Sequence, residues 1–227
     1  MNLREKENQL FKEWSKGKVN FAKDGAGKNF ETQKPKLIFI GKETNDTKDT
    51  FDWREYLDNG IFHKNEKPFG QSYNIYRWSK FLLDGPMDFK KYKAKEKNKD
   101  KRIDVFSRIA FVNIKKESGK SSSNSDEIIK AGRKDKEYLS KQLNLYLNNN
   151  DVKILFLLGD GIYTPIKEII KDKYKLIKRE HLNKSRFIEL YDNNLFVVRF
   201  YHFNRCGLNT GYDLIRKVYD FIKVSNI

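Results

Sequence analysis

Residues 37–41 read LIFIG, and the polar stretch KETN follows them at 42–45. The first stretch is apolar at successive positions, which is typical of a strand buried on both faces. Three later stretches share this pattern: IAFVNI at 109–114, KILFLLG at 153–159 and LFVVRFY at 195–201. Strands of this kind belong to parallel sheets that are covered by helices. The four runs predict an α/β fold, a three-layer α/β/α sandwich around a central, mainly parallel four-stranded sheet.

Helical periodicity between these runs fits the parallel arrangement. An N-terminal helix is predicted from Leu3, Leu10, Phe11 and Trp14, which share one helical face. Further helices are predicted over 72–83, over 126–147, after Thr164–Pro165 and from Thr210. The helix over 126–147 is expected to open with a capping box formed by Asn124 and Glu127. The stretch 174–201 differs, because KLIKRE and RFIELY resemble strands and Asp192–Asn194 is a turn signal. It predicts an antiparallel hairpin in the C-terminal half that leads into the last core strand.

Two lysine-rich segments, near 86–104 and 115–125, are predicted as basic surface insertions. KKYKAKEKNKDKR at 90–102 lacks apolar periodicity, and KKESGKSSSNS at 115–125 directly follows a predicted strand. Both are interpreted as solvated loops, with contact to phosphates as the functional alternative. Neither an internal repeat nor a second domain is visible, so residues 1–227 are predicted to form one domain.

Charge and composition limit the class of protein. The chain of 227 residues can bury a sizeable core, and 47 Lys and Arg against 31 Asp and Glu give a net charge of +16. Such a field attracts polyanions, of which nucleic acid is the commonest in a cell. A lysine-rich surface inherited from an AT-rich genome is the alternative explanation. The charge therefore motivates a nucleic-acid partner without establishing one.

Cysteine content and hydropathy indicate the compartment. Cys206 is the single cysteine, which excludes an internal disulfide framework, a Cys-based zinc site and a four-Cys iron–sulfur cluster. The N-terminus is charged from its fourth residue, and no stretch approaches the ~18 apolar residues of a membrane span. We expect a cytoplasmic protein that contacts no membrane.

Chemistry is expected at the carboxyl ends of the predicted strands, where open parallel sheets bind ligands. The polar residues at these ends are Lys42, Glu43 and Asn45 after the first strand, Asn113 in the second, Asp160 after the third and His202 after the fourth. Asp160 is assigned to turn geometry, because glycines flank it on both sides.

This arrangement resembles the uracil-DNA glycosylase superfamily. Members carry a G-Q-D-P-Y, G-E-x-P-G or G-x-N-P-G motif after the first strand, an Asn-ending second strand, an LLLG-like third strand and an H-P-S motif. GKETN, FVNIKK, FLLGDGIY and FYHFNR take these places in the same order here, across nearly the whole chain. KPFGQSYNIYRWSKFLLD at 67–84 is similar to the P-F-x-G-x-x-G…LLD segment, whose Phe stacks on the base. Proline is missing after Glu43, and proline and serine are missing after His202.

The resemblance implies a role for each matching residue. Glu43 would orient or activate the attacking water and stabilise the oxocarbenium-like sugar, with Asn45 sharing that task. Phe69 would stack on the extruded base, Asn113 would read its edge, and His202 would stabilise the departing anion. Residues expected to contact DNA are Lys42, Lys115, Lys116, Lys120, Phe203, Asn204, Arg205 and Leu208, with Phe203, Arg205 or Leu208 as the wedge that fills the vacancy in the duplex.

Each of these residues also has a structural interpretation. Glu43 could be a helix cap or a salt-bridge residue, and Asn113 could satisfy the backbone of a loop. His202 could be an ordinary rim histidine, and Phe69 could belong to the core. Their joint placement at successive strand ends favours the functional interpretation.

Other motif-like strings fail on their context. GAGK at 25–28 lacks the spacing and the Ser or Thr of a phosphate loop, and it precedes a strand. HExxH, CxxC and G-x-S-x-G are absent, and His63 and His181 do not have the spacing of metal ligands. We therefore expect no metal and no cofactor.

The leading hypothesis is a monomeric, monofunctional DNA glycosylase. It would flip a uracil, damaged or modified base out of duplex or single-stranded DNA and hydrolyse the N-glycosidic bond. Its role would be repair, or defence against phage DNA with modified bases. One alternative is a catalytically inactive nucleic-acid-binding module of the same fold. Another is a metal-dependent hydrolase or nuclease that uses Glu43, Asp46 and Asp49.

Overall fold

The computed structural model of the protein describes residues 1–44, 52–59, 72–117 and 124–225. The helices in these ranges are α1 (Leu3–Trp14), α2 (Trp53–Asn59), α3 (Ser72–Leu83), α4 (Phe89–Lys93), α5 (Lys99–Ser107), α6 (Ser125–Lys134), α7 (Lys136–Leu147), α8 (Tyr163–Ile170) and α9 (Leu208–Ser225), with a short 3-10 helix, η1, at Phe203–Arg205. The strands are β1 (Gly25–Ala26), β2 (Lys36–Gly41), β3 (Ala110–Asn113), β4 (Lys153–Leu158), β5 (Leu176–His181), β6 (Phe187–Tyr191) and β7 (Leu195–Phe200).

The strands form one mixed sheet in the order β1-β3-β2-β4-β7-β6-β5. Neighbours among β3, β2, β4 and β7 pair in parallel. The expected four-stranded sheet is corrected, because the sheet extends beyond this group at both edges. Strand β1 adds to β3 in antiparallel pairing, and the β5–β6 hairpin adds to β7. The antiparallel hairpin predicted from 174–201 is present, as part of the same sheet.

Alternating side chains of the central strands serve two hydrophobic cores, one on each face of the sheet. Leu37 and Phe39 of β2 belong to the core that α3, α5 and α9 cover. Ile38 and Ile40 belong to the core that α1, α7 and α8 cover. Burying each large apolar side chain stabilises the fold by about 1.5–3 kcal/mol, which explains why the middle of each of these strands is apolar on both faces of the sheet. No helix in the described ranges has both the length and the apolarity that a membrane span requires.

The helix boundaries differ from the predictions at three places. The single helix expected over 126–147 is two helices, α6 and α7, separated at Asp135, whose carboxylate accepts a hydrogen bond from Lys18. Asn124 caps α6, but its side chain accepts from the amide of Asp126, so the expected capping box is corrected. Helix α8 begins one residue before the expected cap, and α9 begins at Leu208 rather than at Thr210.

The lysine-dense run 90–102 is not the loop that its composition suggested. Most of it lies in α4 and α5, whose first turns are capped by Asp88 and Asn98. Tyr92 is buried, and its hydroxyl accepts a hydrogen bond of 3.0 Å from the Trp78 indole. A few buried side chains therefore order this segment. The other predicted insertion, 115–125, is described only at its ends.

Candidate active site

The carboxyl ends of the four parallel strands lie level with one another. Gly41 of β2 is paired with Asn113 of β3, and Leu158 of β4 is paired with Phe200 of β7. Beyond the strands, the Lys115 amide donates to the Lys42 carbonyl at 2.9 Å, so the loops after β2 and β3 run side by side. The structure therefore brings Glu43, Asn113 and His202 to the same edge of the sheet, as the strand-end rule predicts.

Asn113 presents a buried carboxamide at this edge. Asn113 is 2% exposed, and its Nδ2 has no hydrogen-bond partner among the described residues. Gly41 makes room for it, because a Cβ at Gly41 would lie 2.6 Å from Asn113 Oδ1. A buried amide donor without a partner costs about 1–3 kcal/mol, which makes it a candidate for binding a ligand.

A buried ion network holds Asn113 from behind. Asp24 is completely buried and accepts three hydrogen bonds: from the Asn113 amide at 2.7 Å, from Lys116 Nζ at 2.5 Å and from Gln142 Nε2 at 2.9 Å. Lys116 is also completely buried, with its ammonium 4.8 Å from the centre of the Trp14 ring. Burial lowers the pKa of Lys116, although the charge of Asp24 opposes that shift. The expected DNA contact at Lys116 is therefore corrected, because its ammonium is used inside the protein.

Close packing against neighbouring groups explains the glycines of the GAGK string. A Cβ on Gly25 would lie 2.2 Å from Glu7 Oε1 and 2.9 Å from the Tyr146 hydroxyl. A Cβ on Gly27 would lie 2.4 Å from the Ser107 carbonyl oxygen. These glycines permit close packing, in agreement with the rejection of this string as a phosphate loop.

Glu43 and Lys115 form an ion pair at the site. Glu43 Oε2 accepts a hydrogen bond of 2.7 Å from Lys115 Nζ. The Glu43 side chain is 3% exposed and the Lys115 side chain 26%. The salt-bridge interpretation of Glu43 is thus realised in the structure, and it leaves Lys115 in contact with solvent.

His202 follows β7 and caps η1. Its Nδ1 accepts a hydrogen bond of 3.3 Å from the Asn204 amide, and its ring stacks on Phe203 with centroids 4.2 Å apart. Burial lowers the pKa of His202 to about 4, with further contributions from the charges of Lys42 and Arg205. The imidazole is therefore neutral at pH 7, and because Nδ1 accepts, the proton lies on Nε2.

Gly159 brings the side chains of His202 and Lys42 together. A Cβ at Gly159 would lie 3.5 Å from His202 Cβ and 3.7 Å from Lys42 Cε. The η1 turn is held in place by Asn74, whose Nδ2 donates to the carbonyls of Phe203 at 2.6 Å and Cys206 at 3.2 Å. The end of β7 thus places a neutral histidine beside a lysine.

The remaining predicted residues fall into two groups. Among the wedge candidates, Arg205 and Leu208 are exposed, whereas Phe203 packs partly against the core. Asn204 is exposed as well. Several predicted residues lie outside the described part of the chain: Asn45, Asp46, Asp49, Phe69 and Lys120.

Two arginines at this edge were missed by the sequence analysis. Arg186 and Arg199 both donate to Asp160 Oδ1, at 3.1 and 3.0 Å. Gly159 and Gly161 have φ values of +107° and +89°, so Asp160 also lies in the glycine turn predicted for it. Arg199 had a signal in the sequence, since it is the one charged residue within the apolar run 195–201. Arg186 had none.

Comparison with known proteins identifies no relative: no protein-family model, no curated protein and no solved structure matches the chain. The resemblance to the uracil-DNA glycosylase superfamily rests on the order of the motifs alone. Among the described residues, no group of three or more His, Cys, Asp or Glu side chains is placed to hold a metal ion.

Proposed function

We propose that the protein is a monofunctional DNA glycosylase, which flips a uracil, damaged or modified base out of DNA and hydrolyses its N-glycosidic bond. One observation carries the proposal. The buried Asn113 carboxamide, with its unpartnered Nδ2, lies on the same sheet edge as the Glu43 carboxylate and the neutral His202. A base edge offers acceptors that this amide can bind.

In the proposed reaction, Glu43 acts on the sugar side. Its carboxylate orients a water molecule, accepts a proton from it and stabilises the positive charge that develops on the sugar. The water oxygen bonds to C1′ as the bond from C1′ to the base nitrogen breaks, and the base leaves with the electron pair. Lys115, 2.7 Å from one carboxylate oxygen, holds the Glu43 side chain in position.

His202 acts on the base side. Its pKa of about 4 means that it does not supply a proton at neutral pH. It donates a hydrogen bond through Nε2–H to an oxygen of the departing base and stabilises the anion without transferring the proton. Asn113 ends β3 and His202 follows β7, the outer two of the four parallel strands. In the proposed reaction, these residues contact the same base from opposite sides.

The basic surface supplies affinity for DNA. The net charge of +16 favours a polyanion, and the site itself contains Lys42, Lys115 and the exposed Arg205. The H-F-N-R sequence at 202–205, in place of H-P-S, suggests a pocket reshaped for a base other than uracil. A modified base of phage DNA would give the protein a role in defence.

One observation favours a second candidate, the catalytically inactive binding module. The Glu43–Lys115 ion pair engages a carboxylate oxygen, which is then less available to orient a water molecule. In that case the strand-end residues would bind nucleic acid without hydrolysis.

Incubation with DNA that carries a panel of altered bases, in EDTA and followed by alkali, separates these functions. The glycosylase proposal predicts strand scission that persists in EDTA and falls by roughly 100-fold or more in Glu43→Gln. Glu137→Gln is the matched control, because it makes the same change at a carboxylate that also pairs with a lysine, Lys141, but on the exposed surface of α7. Tight binding without product on any base would support the binding module. Scission abolished by EDTA would support a nuclease.

A further inference from the structure

Two arginines converge on one carboxylate oxygen beside the candidate active site. Arg186 lies just before β6 and Arg199 lies in β7, and both donate to Asp160 Oδ1. The Arg186 guanidinium lies 4.4 Å from the centre of the Tyr201 ring, which holds its plane in place. Guanidinium groups fixed in this way are suited to binding phosphate through paired hydrogen bonds.

Arg186, Arg199 and Asp160 form a triad in which the two arginines are more buried than the carboxylate. The Arg186 and Arg199 side chains are 8% and 31% exposed, whereas the Asp160 side chain is 57% exposed. The Nε atoms of both arginines are buried without a hydrogen-bond partner among the described residues. The carboxylate therefore lies on the solvent side of the buried Arg186 and beside the partly exposed Arg199, and two guanidinium groups against one carboxylate leave the triad with a net positive charge.

The triad borders the residues assigned to catalysis. Asp160 follows Gly159, where an added Cβ would lie 3.5 Å from His202 Cβ and 3.7 Å from Lys42 Cε. The ring on which Arg186 lies belongs to Tyr201, the residue before His202. Asp160 also lies between Gly159 and Gly161, which both have a positive φ. Because glycine has no Cβ, the backbone on either side of Asp160 can adopt conformations that other residues rarely reach. The triad therefore adjoins the position proposed for the target base at His202.

We propose that Arg186 and Arg199 bind a phosphodiester group of the DNA strand next to the target nucleotide, and that Asp160 occupies this site in the free protein in place of the phosphate. Binding exchanges one carboxylate oxygen for phosphate oxygens and makes or breaks no covalent bond. The inference rests on the proposed function only in taking DNA as the ligand, because it does not require excision. Because Asp160 competes with the phosphate for the two arginines, it would weaken the binding of DNA whose phosphate does not reach both of them.

Binding of a fluorescent oligonucleotide, measured by anisotropy between about 50 and 200 mM NaCl, tests this proposal. Asp160→Asn should bind about three- to tenfold more tightly than Asp172→Asn, which makes the same charge change at an exposed position after α8. Arg199→Gln should lower the salt slope by about one, and Arg216→Gln, an exposed control on α9, should lower it less. In the Arg199→Gln background, Asp160→Asn should give no gain.

Three results would overturn the phosphate site. The first is equal affinity of Asp160→Asn and Asp172→Asn, which would show a general charge effect. The second is an Asp160→Asn gain that persists without Arg199, and the third is an absence of DNA binding by every variant. Circular dichroism checks folding, and Arg199→Lys replaces Arg199→Gln if the latter is unfolded, with a reduced Asp160→Asn gain expected.

Two results distinguish failure of one proposal from failure of the other. Arginine-dependent binding without release of any base would overturn the glycosylase and leave the phosphate site standing. Excision that does not depend on Asp160 or Arg199 would overturn the phosphate site alone.

Discussion

Lys115 and Lys116 are neighbours in the chain, yet they serve two regions of opposite character. Lys116 lies in the buried ion network, where Asp24 accepts from its ammonium and from Gln142. Lys115 lies at the strand-end site, where it pairs with Glu43 and remains 26% exposed. Because the two residues are of the same type and adjacent in the chain, the partner and the burial of each lysine decide its role.

The two regions also depend on each other. Asp24 accepts the Asn113 amide with one oxygen and the Lys116 ammonium with the other. The Asp24 carboxylate thus positions Asn113, whose own Nδ2 has no hydrogen-bond partner among the described residues. We therefore expect substitutions in the first region to affect mainly stability, and substitutions in the second to affect mainly the proposed activity.

The largest effect is expected from Lys116→Met. This change leaves the buried Asp24 carboxylate without its cation, and breaking one half of a buried ion pair costs about 3–5 kcal/mol. Urea denaturation at pH 7 measures the free energy of unfolding. A loss below about 1 kcal/mol would show that the buried network does not support the fold.

Asn113→Ala should separate activity from stability. It removes an amide that has no partner among the described residues, so the free energy of unfolding should change by less than about 1 kcal/mol. Excision from the reactive base should fall by roughly 100-fold, because the base edge loses its hydrogen bonds. The free energy of unfolding and the excision rate are measured on the same preparation. Full activity in this variant would remove Asn113 from the site.

His202 should make the protein less stable in acid. Burial, with the charges of Lys42 and Arg205, lowers its pKa to about 4, so its contribution is present above the unfolded value near 6.5 and is lost as the pH falls towards 4. Between pH 7 and 4.5, the wild type should lose about 1–2 kcal/mol more than His202→Gln. Denaturation curves of both proteins at the two pH values provide the test. Equal losses would mean that the histidine titrates normally.

The smallest effect is expected from Lys115→Met, the counterpart of the first variant. Its ion pair with Glu43 is partly exposed, and such pairs contribute about 0–1 kcal/mol. The free energy of unfolding should therefore change far less than in Lys116→Met under the same conditions. Equal losses in the two variants would erase the distinction between the two regions.

The sequence predicted the central strands well and the edges of the sheet poorly. The apolar runs at 37–41, 109–114, 153–159 and 195–201 match β2, β3, β4 and β7 to within one residue at each end, because burial on both faces leaves a continuous pattern. Strand β1 has two residues and leaves no pattern. Helices α4 and α5 were missed because their exposed lysines outnumber the few buried residues that order them.

The candidate site was predicted as far as the strand-end rule reaches. That rule brought Glu43, Asn113 and His202 to one edge from their positions along the chain. It could not reveal that Lys116 is buried, because its partner Asp24 lies 92 residues earlier and lysines are almost always exposed. It could not pair Arg186 with Asp160 either, since only the folded hairpin brings them together.

The most direct test of the proposed activity is mass spectrometry of the small molecules released from DNA that carries a panel of altered bases, with EDTA present throughout. We predict that one free base is released and that the DNA chain stays intact until alkali is added. Glu43→Gln should reduce the release by roughly 100-fold or more, while Glu137→Gln preserves it. Tight binding of the same DNA by the wild type, with no free base from any substrate, would contradict the proposed activity.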